Sequence, residues 1–123
     1  MQAQTLLVVD DDPAVGAVVE RVGADCGYAV SVTETARDFR ASYAATKPDA
    51  IVLDVVIPDS DGLELIGELA AKESKAKLII VSGYERYLKL ASDYARFNGL
   101  DVVDTLAKPI DNAALSRLLS ELR

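Results

Sequence analysis

Asp10, Asp11, Asp54, Ser82 and Lys108 share one feature: each stands at, or just past, the C-terminal end of a short apolar run. The runs are Leu6-Leu7-Val8-Val9, Ile51-Val52-Leu53, Leu78-Ile79-Ile80-Val81 and the stretch through Leu106-Ala107. Each is about as long as a buried strand. In a parallel α/β sheet the strand C-termini lie on one edge, and open sheets take their ligands in the crevice outside that edge. Three carboxylates, one hydroxyl and one ammonium would meet there. Such a set suits a divalent cation and a phosphoryl group, because phosphoryl transfer needs positioning and charge neutralisation more than a strong base.

Aspartates also follow strands for a simpler reason, since they turn chains and cap helices. Asp12, Asp59, Asp61 and Asp111 are read as caps. Asp54 is different. It follows Ile51-Val52-Leu53 and precedes Val55-Val56-Ile57, so it sits inside an apolar run and not in a turn cluster. A lone carboxylate there is costly to keep charged, and a bound divalent cation or a positive side chain offsets the cost. Lys108 is the candidate side chain. The Lys108-Pro109 bond can be cis, which would turn the chain after its strand and fix the direction of the lysine.

Composition narrows the chemistry. Histidine is absent, which excludes a histidine base, a Ser-His-Asp triad and histidine-bound zinc. The single cysteine, Cys26, excludes an intrachain disulfide and is read as a small buried core residue. Any metal is therefore held by oxygen, which favours Mg2+ or Mn2+. The net charge of −7 argues against nucleic acid as a direct partner. The N-terminus has no positive cluster, and no stretch approaches the roughly 20 apolar residues of a membrane span. A cytoplasmic protein with no membrane contact is expected.

The 123 residues are enough for one domain with a real core. Strand-like runs and helix-period segments alternate throughout. A strand over 5–9 leads to a helix capped by Asp12, with Pro13 in its first turn and Val15, Val18, Val19 and Val22 on one face. Gly23 and Gly27 bracket its stop. A second strand spans 28–32, and Thr33 or Glu34 begins a second helix with Phe39, Tyr43 and Ala44 on one side. A turn at Lys47-Pro48-Asp49 precedes a third strand over 50–53. The loop 58–62 leads to a helix capped by Asp61. A fourth strand over 77–81 precedes a long helix from Tyr84 to about Asn98, ended by Asn98-Gly99. A fifth strand over 100–106 and a last helix capped by Asp111 complete the chain. Five alternating βα units imply a doubly wound α/β fold, a five-stranded parallel sheet with helices on both faces; of the common open-sheet orders, five strands fit 2-1-3-4-5, the order of flavodoxin-like folds. That order makes the first and third strands neighbours, so Asp10, Asp11 and Asp54 fall side by side.

Taken together, Leu7-Val8-Val9-Asp10-Asp11-Asp12-Pro13, Leu53-Asp54 followed by Pro58 and Asp61-Gly62, Val81-Ser82-Gly83, and Lys108-Pro109 resemble the receiver domain of two-component response regulators. The resemblance covers essentially the whole chain and implies a flavodoxin-like fold, with residues 1–123 forming a single receiver domain and no output domain. It implies that Asp54 is the phosphoacceptor, taking a phosphoryl group from the phosphohistidine of a sensor histidine kinase or histidine phosphotransfer protein, or from a small donor such as acetyl phosphate. Asp11 and Asp54, with the backbone carbonyl of Val56, match the Mg2+ ligands, and Asp10 matches the acidic partner that reaches the metal through water. Ser82 matches the hydroxyl that bonds the phosphoryl oxygen, and Lys108 the lysine that pairs with another. The implied function is a phosphorylation-activated switch that shifts a partner-binding face made by the fourth helix, fifth strand and fifth helix, as a monomer or as a weak dimer through that face. The only catalysis implied is the domain's own phosphorylation and dephosphorylation.

Three features set the chain apart from the usual receiver pattern. Thr105 replaces the aromatic residue three positions before the lysine, and Tyr84 or Tyr87 is the candidate substitute ring. The interval from Ser82 to Lys108 is longer than in the chemotaxis regulator by about one helical turn, which implies an extended fourth helix or a longer loop after it. Val56 and Tyr84 flank the path of the water that would hydrolyse a phosphoaspartate, and predict a long-lived phosphoryl state. Two alternatives use the same residues: a receiver-like interaction module that is never phosphorylated, and a small Mg2+-dependent aspartyl-phosphate phosphohydrolase. The second usually has an aspartate where Val56 stands. A flavin-binding module is disfavoured, because Asp10-Asp11-Asp12-Pro13 is the opposite of an anion site.

Overall fold

The structure is a computed structural model that describes residues 3–123. Its elements follow the order β1 (Thr5–Val9), α1 (Pro13–Asp25), β2 (Ala29–Thr33), α2 (Ala36–Thr46), β3 (Ala50–Asp54), β4 (Val56–Ile57), β5 (Ser60–Asp61), α3 (Gly62–Ala71), β6 (Lys77–Ser82), α4 (Glu85–Phe97), β7 (Asp101–Ala107) and α5 (Asn112–Glu121). The main sheet has the order β2-β1-β3-β6-β7, and every pairing in it is parallel. Leaving aside the short β4–β5 hairpin, this is the expected 2-1-3-4-5 order.

The strands alternate their side chains between two apolar layers. Leu7, Val9, Ile51, Leu53, Leu78 and Ile80 face α2, α3 and α4, where Phe39, Leu65, Ile66, Leu69, Leu88 and Ala91 complete one core. Leu6, Val8, Val52, Ile79 and Val81 face α1 and α5, against Val19, Val22, Leu115, Leu118 and Leu119. Burial of each such Leu or Ile side chain is worth about 1.5–3 kcal/mol. Both faces of the central strands are covered, which is why they read as unbroken apolar runs.

Local chemistry sets the helix ends. Asp12, Asp61 and Asp111 cap α1, α3 and α5, each accepting a backbone N–H of the first turn. Gly99, at φ +85°, follows the end of α4 as expected. Cys26 is buried and free, in the core beside α5.

Several boundaries differ from expectation. α2 begins at Ala36 with Thr35 as its cap, because Thr33 ends β2, where its hydroxyl donates to the Val8 carbonyl. Ala44 faces solvent. Gly23 lies within α1: a Cβ there would sit 2.9 Å from both Leu6 and Val30, so it serves close packing and not termination. Gly27, at φ +93°, follows the Cys26 cap and is the terminating glycine. The loop after β3 holds an antiparallel hairpin, with Val56 opposite Asp61 and Ile57 opposite Ser60. At the sheet edge, β7 passes from Val102, opposite Leu78, to Asp104, opposite Ile79, so Val103 forms a bulge.

Candidate functional site

β1 and β3 pair in register from Leu6 with Ala50 to Val9 with Leu53. That pairing brings Asp10 and Asp54, the next residue on each strand, to the same edge. Carboxylate oxygens of Asp10, Asp11 and Asp54 lie within 4.8 Å of one another. Asp10 and Asp54 are buried and Asp11 is exposed, so the cluster opens to solvent on one side.

The two buried carboxylates divide their oxygens in the same way. Asp10 Oδ1 accepts the Asp12 N–H at 2.9 Å, and Asp54 Oδ1 accepts the Val56 N–H at 3.0 Å. Each Oδ2 faces the Lys108 ammonium, at 2.9 Å in both cases. The Lys108 N–H donates to the Ser82 carbonyl at 2.9 Å, joining the ends of β6 and β7 beside the carboxylates, and its peptide bond to Pro109 is cis. Two carboxylates thus share one ammonium. Burial raises the Asp54 pKa, against the hydrogen bonds from Lys108 and Val56, and the neighbouring Asp10 charge adds to the rise. For Lys108, burial acts to lower the pKa, but the hydrogen bonds to Asp54 and Asp10 outweigh it and leave the pKa raised.

Ser82, the last residue of β6, is fully buried next to the strand position paired with Asp54. Its Oγ accepts the Tyr84 N–H at 3.1 Å. Val56 is half-exposed in the hairpin that follows Asp54. Thr105 is half-buried on β7, opposite Ile80. Tyr84 and Tyr87 pack edge to face, with ring centroids 5.8 Å apart, and both are exposed to solvent.

The donor set fits Mg2+. All three side chains are hard carboxylate donors, the oxygen ligands that Mg2+ takes, and their oxygens lie near enough to one another to share one ion. Asp10, Asp11 and Asp54 would hold the ion. Two further residues shape the site. Asp59, in the turn between β4 and β5, accepts the Ala36 and Arg37 N–H groups at 2.7 and 3.1 Å, so it caps α2 and not its own helix. Gly62 lies against the backbone of Val55, and a Cβ on it would fall 2.4 Å from the Val55 oxygen. The Asp61-Gly62 motif hints at the second; for the first, residue type suggests a cap but no local signal says which helix it caps.

This architecture defines a doubly wound α/β protein with an acidic, lysine-closed crevice at the switch point between β1 and β3. The family model of the response regulator receiver domain matches residues 6–120, and the chain belongs to this family. It is 34% identical over 120 residues to response regulator MprA of Mycolicibacterium vanbaalenii, an alignment covering 96% of this chain and 48% of that protein. MprA of Mycobacterium avium is 33% identical over 120 residues, with 96% and 49% covered. The chain therefore spans about half the length of the curated relatives it matches. A response regulator structure from Colwellia psychrerythraea superimposes with a TM-score of 0.85 at 33% identity, covering 98% of this chain and 97% of that one. A CheY-like receiver domain from Methylobacillus flagellatus gives 0.82 at 26% identity, covering 99% and 100%. Among the described residues, no helix is long and apolar enough to cross a membrane.

Proposed function

We propose that residues 1–123 act as one receiver domain whose Asp54 carries the phosphoryl group of a two-component or phosphorelay pathway. The observation that carries this reading is the arrangement of Asp54: it is buried inside an apolar run, lies within the acidic trio, and is held on Lys108 at 2.9 Å. Mg2+ bound by Asp10, Asp11 and Asp54, with the Val56 carbonyl, would supply positive charge against the phosphoryl oxygens. An oxygen of Asp54 attacks the phosphorus in line, the bond to the phosphohistidine nitrogen breaks, and the electron pair of that bond leaves with the imidazole. Lys108 then pairs with a phosphoryl oxygen in place of the carboxylate. The Ser82 hydroxyl donates to another.

The donor is a sensor histidine kinase or a histidine phosphotransfer protein, and the domain works in the cytoplasm. It catalyses only its own phosphorylation and dephosphorylation. The readout is a shift in the face made by α4, β7 and α5, which binds a protein partner and not nucleic acid. Incubation with acetyl phosphate, or with beryllofluoride, in the presence of Mg2+ tests the reading. The expected results are a mass gain of one phosphoryl group with the first and a change in the tyrosine spectrum with the second, both lost in Asp54→Asn. No response in the native chain would assign the domain to unphosphorylated protein binding.

A further inference from the structure

Five of the exposed large apolar side chains, Tyr84, Tyr87, Leu90, Tyr94 and Phe97, lie on α4 or at its cap. The core takes a different side of this helix, through Leu88, Ala91, Ser92 and Ala95. Tyr87, Leu90, Tyr94 and Phe97 follow one another at intervals of three, four and three residues, and so form a single outer stripe. The stripe borders α3, where a Cβ on Gly67 would come 3.2 Å from the Tyr94 hydroxyl. A solvent-facing stripe of three aromatics and a leucine is the composition of a buried protein interface.

We infer that this stripe pairs with its own copy, α4 against α4 in antiparallel orientation, to form a homodimer. The interval pattern reads the same in both directions. A dyad therefore matches Tyr87 with Phe97 of the second copy and Leu90 with Tyr94, as the self-complementarity of an isologous contact requires. The spacing is that of a helix-pair seam. Charge supports the same register. Lys89 and Asp93 flank the stripe, both well exposed and paired within the helix at 3.1 Å, and the dyad brings Lys89 of each copy beside Asp93 of the other. The pairing uses the outer, α3-side stripe and leaves β7 and α5 free. It does not rest on phosphorylation of Asp54. An interface of one helix per copy is smaller than the roughly 800 Å2 per partner of a standard complex, so the dimer is weak and forms with rising concentration.

Sedimentation velocity over a concentration series tests the inference. A reversible shift from monomer to dimer is expected, and Leu90→Asp raises the dissociation constant about tenfold or more. Leu90 is exposed, so this variant keeps the fold, which circular dichroism checks. Lys89→Asp weakens the dimer, and Lys89→Asp combined with Asp93→Lys restores it. In a Cys26→Ala background, Leu90→Cys protein mixed with Tyr94→Cys protein forms the mixed disulfide in excess over either self-pair. A chain that stays monomeric throughout, as it would if the stripe served a different protein, overturns the proposal. So does a dimer indifferent to Leu90→Asp, or a preference for self-disulfides.

Discussion

The Lys108 ammonium holds Asp54 Oδ2 at 2.9 Å, and the same nitrogen lies 2.9 Å from Asp10 Oδ2. One cation thus bridges two buried carboxylates at the edge where phosphoryl chemistry is proposed. The arrangement is poised for exchange: a phosphoryl oxygen on Asp54 can take over the lysine.

Removing that cation exposes the repulsion it offsets. Lys108→Met is expected to destabilise the protein by about 3 kcal/mol, as when one member of a buried pair is lost. Mg2+ supplies the missing charge, so its addition is expected to raise the unfolding temperature more in Lys108→Met than in the native chain, and chelation to reverse the gain. Thermal unfolding with and without the ion checks both points; equal Mg2+ effects in the two proteins would count against a shared role for lysine and metal.

Gly62 cannot accept a side chain without moving the Val55 backbone, which is the link between Asp54 and the hairpin. Gly62→Ala is expected to cost about 2–3 kcal/mol, at the upper end for overpacking, and to slow phosphorylation by acetyl phosphate. Urea unfolding and the rate of mass gain provide the measurements, and a native rate in a destabilised variant would separate the loop from the chemistry.

Val56 and Tyr84 follow Asp54 and Ser82 by two residues, and both are open to solvent. An apolar side chain there cannot orient a water by hydrogen bonding, and a bulky ring hinders its approach. The phosphorylated chain is therefore expected to be long-lived, with Val56→Asn and Tyr84→Ala each shortening the lifetime severalfold. Phosphoryl loss followed by mass spectrometry decides the matter, and unchanged lifetimes in both variants refute it.

Asp59 ties the site loop to α2, and the hydrogen bond from the Ala36 N–H, ahead of the one from Arg37, holds its carboxyl below the usual carboxylate range. A folded-state pKa that is depressed contributes stability in full above the unfolded-state value, and loses it as pH falls through the folded-state value. Asp59→Ala is expected to lower the unfolding temperature at neutral pH, with the gap from the native chain closing as the pH drops below about 4. Unfolding scans across that range test the assignment.

The acidic cluster and Lys108 were legible in the sequence because strand and helix periods differ and the carboxylates interrupt the strand pattern. Once five strands alternate with five helices, doubly wound parallel topology carries Asp10, Asp11 and Asp54 to one edge. The caps Asp12, Asp61 and Asp111 were legible for a similar reason, since each contacts a backbone group within three residues of itself. Asp59 looked the same in the sequence and caps another helix, because its partners lie 22 and 23 residues away and come near only when the sheet forms.

By itself, then, the sequence determined the features set by local periodicity and by residue type at element ends: the alternating elements, the acidic pocket and the lysine that closes it. Tertiary structure alone decided the relationships set by packing between distant segments. These are Gly23 against Leu6 and Val30, the bulge at Val103 where the edge strand pairs unevenly with β6, and which of the two apolar sides of α4 meets the core. The α4 pattern contains both sides at helical spacing. Only the docking of the helix onto β6 and β7 buried Leu88, Ala91 and Ala95 and left Tyr87, Leu90, Tyr94 and Phe97 facing outward.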